Sequence, residues 1–483
     1  MFISGVISIL LLPILIKMLG KIEYGAFELI TSLMIINFLL EFGMGSTLIK
    51  FIPEYKDSKT KLNEFIWSYF YIKLLITMLG ITVITVLGFY FDQIFHIENI
   101  KDIQAIKISV YLFGLGILLS SVSSFLANIL KGFIYFEYIN ISRTIANILF
   151  FIICYAYYLI FDNYSIIEIS IIWFLIKPIL LIINMLILFK KLNLIKLLIP
   201  TNFKIDTIKP TFKYLFGMSY ISIVAQLYNK LPKIILGIFL GPIYVGYWGI
   251  IDRVKRPILD IQNAILKPLI PILSDKNQKK LSTEKIFQAS RLNSIVISFL
   301  TLLVLVNINL IITLWIGKEF ENISILIQII LLPFISPSSN IFLMMYYADG
   351  QTKINRNFLT LNTTISLLVG TILLSIYKSI LIFIIAYTFI FIFLNFMNIF
   401  SYLKYFKIDT ISYIKKVIIP MLLLIISSFL VSHYLISLIS YNNFIGLIFN
   451  ISITTIIYIL SLILFIPKED KLFIKSLILK RRK

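Results

Sequence analysis

Long apolar segments follow one another along almost the whole of this chain. A membrane-spanning helix needs about 20 mainly apolar residues, and fourteen segments meet that description. They are 2–19, 25–51, 65–90, 107–130, 141–161, 166–189, 212–240, 243–272, 288–316, 323–347, 357–377, 379–403, 417–439 and 444–467. Backbone polar groups in lipid must be paired within their own segment, which favours helices. The sequence therefore predicts an all-α polytopic membrane protein with about 14 transmembrane helices.

Composition excludes most other classes of protein. Hydrophobic residues make up 59% of the chain and charged residues 14%, against about 45–50% and about 25% in soluble domains. The loops are too short for a catalytic domain on either side. One cysteine, Cys154, and two distant histidines, His96 and His433, form no disulfide, metal or triad pattern. We therefore expect a protein that is not an enzyme and needs no metal or cofactor.

The basic residues are sorted by loop, which predicts the orientation. The even-numbered loops with the adjoining span ends and the C-terminal tail hold 29 Lys and Arg, and the odd-numbered loops with the adjoining span ends hold 6. The positive-inside rule then places the even loops and both termini on the cytoplasmic side of the membrane, although Lys17 and Lys21 oppose this locally. The net charge of +21 is therefore explained by basic residues that set the orientation in the membrane and lie near its lipids. No nucleic-acid partner is expected.

Two stretches repeat at an offset of 221 residues. "LGKIEYGAFELI" (19–30) aligns with "LGPIYVGYWGII" (240–251), which pairs Gly20 with Gly241 and Gly25 with Gly246. The offset covers six helices, an even number, so both copies have the same orientation, as in the parallel repeats of some transporters.

The repeat predicts two six-helix lobes followed by two additional helices. The predicted parts are an N-terminal lobe at 1–200, a C-terminal lobe at 201–405, two further transmembrane helices at 406–467 and a basic cytoplasmic tail at 468–483.

Six cations lie deep within the predicted spans. They are Lys177, Lys230, Lys233, Arg253, Lys255 and Arg256. A cation at the centre of a span costs about 2.5–3.5 kcal/mol, so six of them facing lipid would be prohibitive. We expect them to face a watery cavity or the other lobe.

Helical spacing groups these charges on polar faces. Lys230 and Lys233 share one face of the seventh span, and Arg253, Arg256 and Asp260 share one face of the eighth. Asp252 precedes Arg256 by four residues and is well placed to pair with it. Asp260 can pair with Arg256 or Arg253.

Two interpretations of this cluster remain open. A closed network of internal ion pairs is one, but the nearby acids are fewer than the cations. A bound anion is favoured, and a diphosphate fits, because arginine presents a fork that matches phosphate oxygens and lysine a point charge.

Glu41 is a deep acid on the predicted second span, where it shares a face with Asn37 and Gly45. A buried carboxylate that changes protonation is a candidate for ion coupling. The alternative is a structural partner for a cation such as Lys177.

Two segments carry a resemblance to a known family. "YGAFELITSLMIINFLLEFGMGSTLIKFIPEY" (24–55) resembles the start of bacterial polysaccharide-export proteins, the O-antigen type oligosaccharide flippases of the multidrug/oligosaccharidyl-lipid/polysaccharide exporter superfamily. "LPKIILGIFLGPIYVGYWGIIDRVKRPI" (231–258) resembles the start of their second lobe.

The resemblance implies a flippase for surface polysaccharide synthesis. Such proteins move polyprenyl-diphosphate-linked oligosaccharide repeat units from the inner to the outer leaflet by alternating access, with other polysaccharide assembly proteins as implied partners. The alternative is a multidrug or small-solute secondary exporter of the same superfamily, which would need surplus acid where this chain has surplus base. A membrane glycosyltransferase would need a large external loop that the chain lacks.

Overall fold

The structure is a computed structural model. It describes residues 2–95, 97, 103–192, 201–266, 282–335, 340–348, 352–438, 443–467 and 469–471. Within these ranges the chain forms helices joined by short turns, and no β-strand is present. The fold is therefore all-α, as the sequence predicts.

Eighteen α-helices make up the described part. They are α1 (Phe2–Ser32), α2 (Ile35–Glu41), α3 (Met44–Tyr55), α4 (Lys59–Ile94), α5 (Ile103–Gly132), α6 (Phe136–Ile160), α7 (Ile166–Leu192), α8 (Ile205–Ile208), α9 (Phe212–Leu240), α10 (Pro242–Leu266), α11 (Thr283–Ile316), α12 (Ile323–Ile335), α13 (Asn340–Ala348), α14 (Thr352–Tyr377), α15 (Ile380–Tyr405), α16 (Thr410–Tyr413), α17 (Ile419–Ser437) and α18 (Phe444–Phe465). A π-helical turn, Ile414–Ile418, joins α16 to α17.

Most predicted spans are continuous apolar helices. In the described part, ten helices are long and apolar enough to cross a membrane, and the count is eleven if two helical parts, Ile205–Val224 and Asn229–Leu240, form one span through α8 and α9. These parts meet at 49° between Val224 and Asn229. Pro232 lies one turn further on and displaces the carbonyl of Tyr228, which accounts for the bend. The chain is thus a multi-pass membrane protein.

Three predicted spans are helical but interrupted or charged. The segment predicted at 25–51 is divided among the end of α1, α2 and α3, and that predicted at 323–347 is described as α12 and α13, on either side of residues 336–339. The segment predicted at 243–272 begins as α10, which carries five charged residues between Asp252 and Asp260. Polar groups and broken helices at membrane depth are tolerated where they are buried in protein or line water.

The chain divides into two compact units, Met1–Gly249 and Ile250–Lys483, so the division falls inside α10. In the first unit, α5 packs against α3, α4 and α7 around a core that includes Leu48, Phe65 and Tyr69. In the second, α14 packs on α15 and α17 on α18 as helical hairpins, and α11 contacts α12, α17 and α18. Each unit therefore has a core of its own.

Candidate functional site

A buried ion pair joins α1 to α9. Lys233 Nζ donates to Glu28 Oε2 at 2.6 Å, and both residues are 5% exposed. The hydroxyl of Tyr24 donates to the other carboxylate oxygen at 2.9 Å. The pair consists of Lys233, a cation from the predicted cluster, and Glu28, an acid that was not among the predicted site residues. Lys233 therefore has an internal counter-ion in this structure.

The ion pair lies beside a close contact between α1 and the first turns of α10. A Cβ on Gly25 would overlap the carbonyl oxygen of Pro242, and one on Gly246 would lie 3.2 Å from Gly25 Cα. A Cβ on Gly249 would come within 2.7 Å of Glu28 Cδ. The helices approach this closely because these positions lack side chains.

Glu41 ends α2, where the second predicted span breaks. Phe42 and Gly43 follow with φ of 38° and 68°, conformations that stop the helix before α3 begins. Glu41 Oε1 accepts a hydrogen bond of 2.7 Å from Asn128 Nδ2, and Asn128 Oδ1 accepts one of 2.9 Å from Lys131 Nζ. Glu41 is thus part of a polar chain that links the helix break to α5.

Lys73, on α4, contacts the same helix break. Its side chain is 1% exposed, and its Nζ donates to the carbonyl oxygen of Leu40 at 3.0 Å. The last carbonyls of a helix lack partners within the helix, so the lysine satisfies one of them.

Lys177 lies on an aromatic platform. Its Nζ is 3.7 Å from the ring centroid of Trp173, which stacks on Phe113 at 4.2 Å. No carboxylate in the described part of the chain lies within ion-pair distance of this lysine. A cation–π contact balances the charge only in part, so Lys177 retains capacity for an anion. The predicted alternative in which Glu41 pairs with Lys177 is not what the structure shows, since Glu41 contacts Asn128.

The charges of α10 separate along the helix. Lys255 Nζ pairs with Asp252 Oδ1 at 3.0 Å, one turn apart. The predicted partner of Asp252 was Arg256, but Arg256 is exposed, as is Asp260, and neither forms an ion pair among the described residues. Arg253 is half-buried on the same helix. Lys230, on α9, is also half-buried and precedes Lys233 by one helical turn.

A second buried ion pair lies in the second unit. It was not predicted from the sequence. Arg291 on α11 contacts both carboxylate oxygens of Asp470, with an Nη2–Oδ1 distance of 3.0 Å. Its remaining nitrogen donates to the carbonyl oxygen of Lys416 at 3.1 Å. Arg291 is 2% exposed and Asp470 0%. This pair fixes the start of the C-terminal tail to α11 and to the π-helical turn.

Some predicted features lie outside the described residues. They are residues 267–272 of the eighth predicted span, residues 336–339 of the tenth, and the basic tail from 472 onward.

The helices and buried charges define a class: a multi-pass, all-helical membrane protein with interrupted helices and ionised groups held at membrane depth. Two solved structures share its fold. A lipid II flippase, MurJ, in an inward closed conformation matches with a TM-score of 0.71 and 15% identity, over 99% of this chain and 98% of that one. A multidrug resistance MATE family transporter of the MOP superfamily, in an inward-facing conformation, matches with a TM-score of 0.62 and 13% identity, over 83% of this chain and 96% of that one.

Sequence comparison gives the family. The polysaccharide biosynthesis protein family matches residues 1–277, more than half of the chain, and this chain belongs to it. The curated protein sequences compared with the chain gave no match. The membership agrees with the resemblance noted from the two quoted segments.

Proposed function

We propose that this protein is a flippase that moves polyprenyl-diphosphate-linked oligosaccharide repeat units from the inner to the outer leaflet of a bacterial plasma membrane. Family membership over residues 1–277 supports a role in polysaccharide synthesis. The observation that carries the choice of substrate is the surplus of positive charge at Lys177 and on α10. Lys177 has an aromatic partner and no carboxylate partner in the described part of the chain, and α10 carries three cations against two acids.

In this proposal the cations of α7, α9 and α10 bind the diphosphate. Lys177, Lys230 and Lys233 contribute from α7 and α9, and Arg253, Lys255 and Arg256 from α10. Arginine can hold two phosphate oxygens at once, and lysine adds a point charge. Asp252 and Asp260 adjust this charge, and Asp252 holds Lys255 in place at 3.0 Å.

Two lobes, 1–200 and 201–405, alternate between inward and outward access, with 406–467 as additional helices and both termini in the cytoplasm. A membrane potential with a negative interior favours outward movement of an anion by about 2.3 kcal/mol per charge for each 100 mV. Partners are the lipid-linked oligosaccharide, the surrounding lipids and other polysaccharide assembly proteins. Glu41 is assigned to ion coupling or to charge pairing in this proposal, and its hydrogen-bond donor in this structure is the neutral amide of Asn128, at 2.7 Å.

The alternative is a multidrug or small-solute exporter of the same superfamily, supported by the fold shared with a MATE family transporter. The test is transport by the full-length protein in proteoliposomes, with a polyprenyl-diphosphate-linked oligosaccharide and a cationic dye assayed in parallel. We expect translocation of the first and none of the dye above empty vesicles. Dye transport without lipid translocation would establish the exporter instead.

A further inference from the structure

We propose that Glu28 is an internal competitor for the substrate: its carboxylate holds Lys233 in the resting contact, and the substrate diphosphate displaces it during transport. This inference deepens the proposed function and rests on it. It assigns a role to an acid that lies outside the predicted cationic cluster.

The pair is strong because both charges are removed from solvent. Glu28 and Lys233 are each 5% exposed, their charged atoms are 2.6 Å apart, and Tyr24 supplies a further hydrogen bond to the carboxylate. Removing one partner of a buried pair leaves an uncompensated charge that costs several kcal/mol. Lys233 therefore leaves Glu28 readily only when another anion takes the carboxylate's place.

Both members of the pair lie at the same distance from a glycine turn: Gly20 interrupts α1 with non-helical φ and ψ, and Gly241 ends α9. Glu28 follows Gly20 by eight residues, and Lys233 precedes Gly241 by eight. The two glycines have matching conformations, with φ of 67° and 88° and ψ of −179° and 179°. At 1.5 Å per residue, the pair lies about 12 Å along each helix from these turns, which the predicted topology places on the outer side.

Repeat-equivalent positions face each other around this pair. Gly25 contacts Gly246, and Glu28 contacts Gly249, and in both cases the partners are related by the offset of 221 residues. Contact between equivalent positions is what a local twofold axis produces. The segments near Gly25 and Gly246 therefore meet as a self-complementary surface within the first unit.

The ion pair breaks this local symmetry. The repeat equivalent of Glu28 is Gly249, and that of Lys233 is the buried apolar Leu12. One ion pair thus secures a contact that is otherwise formed by small and apolar groups. A substrate that binds Lys233 in place of Glu28 breaks this ion pair. Anion binding is thereby coupled to separation of α1 from α9 and α10.

A binding measurement on the full-length protein in lipid nanodiscs tests this exchange. The probe is farnesyl diphosphate, and farnesol, which lacks the diphosphate, is the control ligand. Glu28→Gln frees Lys233, so we expect farnesyl diphosphate to bind about tenfold tighter. Lys233→Gln should weaken binding, and the double variant should bind like Lys233→Gln alone.

Two further variants keep the test interpretable. Asp470→Asn breaks the other buried ion pair, in the second unit, and should leave the Kd unchanged. Tyr24→Phe keeps the ring but loses the hydrogen bond to Glu28, so it should tighten binding by a smaller factor than Glu28→Gln even if that variant folds poorly.

The outcomes separate this inference from the proposed function. If the wild-type protein prefers farnesyl diphosphate to farnesol but neither Glu28→Gln nor Tyr24→Phe tightens binding, the competitor role is wrong and the flippase proposal stands. The same conclusion follows if Glu28→Gln tightens binding equally without Lys233. If the wild-type protein shows no preference for the diphosphate, both proposals fail.

Discussion

Asp470 accepts hydrogen bonds from two nitrogens of the Arg291 guanidinium, and neither side chain is more than 2% exposed. This two-point contact ties the segment after α18 to α11. The same arginine donates to the carbonyl of Lys416, so one side chain fastens three separate parts of the second unit.

The Asp470–Arg291 pair should make a large contribution to stability. Asp470→Asn leaves a buried guanidinium without its counter-ion, and we expect a loss of about 3–5 kcal/mol, measured as a lower Tm by intrinsic fluorescence in detergent. Glu284→Gln is the matched control, because it breaks an ion pair with Lys416 whose side chains are both 52% exposed. Its cost should be below about 1 kcal/mol. Equal Tm values for the two variants would show that burial does not set the strength of these pairs.

Gly45→Ala should disturb the helix break at Glu41. A Cβ at this position would overlap the Glu41 carboxylate and lie 2.6 Å from Asn128 Nδ2. We expect a loss of about 1–3 kcal/mol from overpacking and a reduced translocation rate. Gly217→Ala is the control, since nothing lies within 4 Å of its added Cβ, and a glycine-to-alanine change inside a helix stabilises it by up to about 1 kcal/mol. A Gly45→Ala variant with wild-type Tm and transport would contradict the close packing described for Glu41.

Lys177→Gln should reduce translocation of the diphosphate-linked substrate by at least about tenfold, because the lysine lies 3.7 Å from Trp173 and has charge left for an anion. The control is Lys50→Gln. Lys50 also contacts aromatic rings, those of Phe51 and Tyr214, but it is exposed. Transport should be close to wild type in Lys50→Gln. A similar rate for both variants would remove Lys177 from the substrate site.

Cysteine labelling tests the orientation. The native Cys154 is buried, so it should not react, and labelling reports only the introduced cysteine. Asn163→Cys, in the exposed turn between α6 and α7, should react with an impermeant maleimide added outside intact cells. Lys407→Cys, between α15 and α16, should react only after the membrane is permeabilised. The opposite pattern would invert the topology inferred from the distribution of lysine and arginine.

The fold was predictable because its determinants are local. Twenty consecutive apolar residues define a span regardless of their neighbours, and Gly20 and Gly241 mark turns that the repeat had paired. The break in the second span was harder to place. The positive φ of Phe42 cannot be inferred from the residue types of an apolar segment, because packing causes it and not the local sequence.

The partners of the charges were less predictable, since they are joined across long sequence distances. Lys233 and Glu28 are 205 residues apart, and spacing along one helix cannot reveal such a contact. The repeat did hold a signal for Glu28: position 249, its equivalent, is a glycine that leaves room for the carboxylate. Arg291 lies at the start of the apolar segment predicted at 288–316 and was counted with the adjoining loop charges, and its partner Asp470 is 179 residues away.

The central claim is that the cations of α10 bind the diphosphate of a lipid-linked substrate. The most direct measurement is the translocation rate of a fluorescent polyprenyl-diphosphate-linked oligosaccharide in proteoliposomes that contain wild-type protein or the double variant Arg253→Gln/Arg256→Gln. We predict a loss of at least about tenfold in the variant, at unchanged Tm and unchanged reconstitution efficiency. A wild-type rate in the folded double variant would contradict the claim.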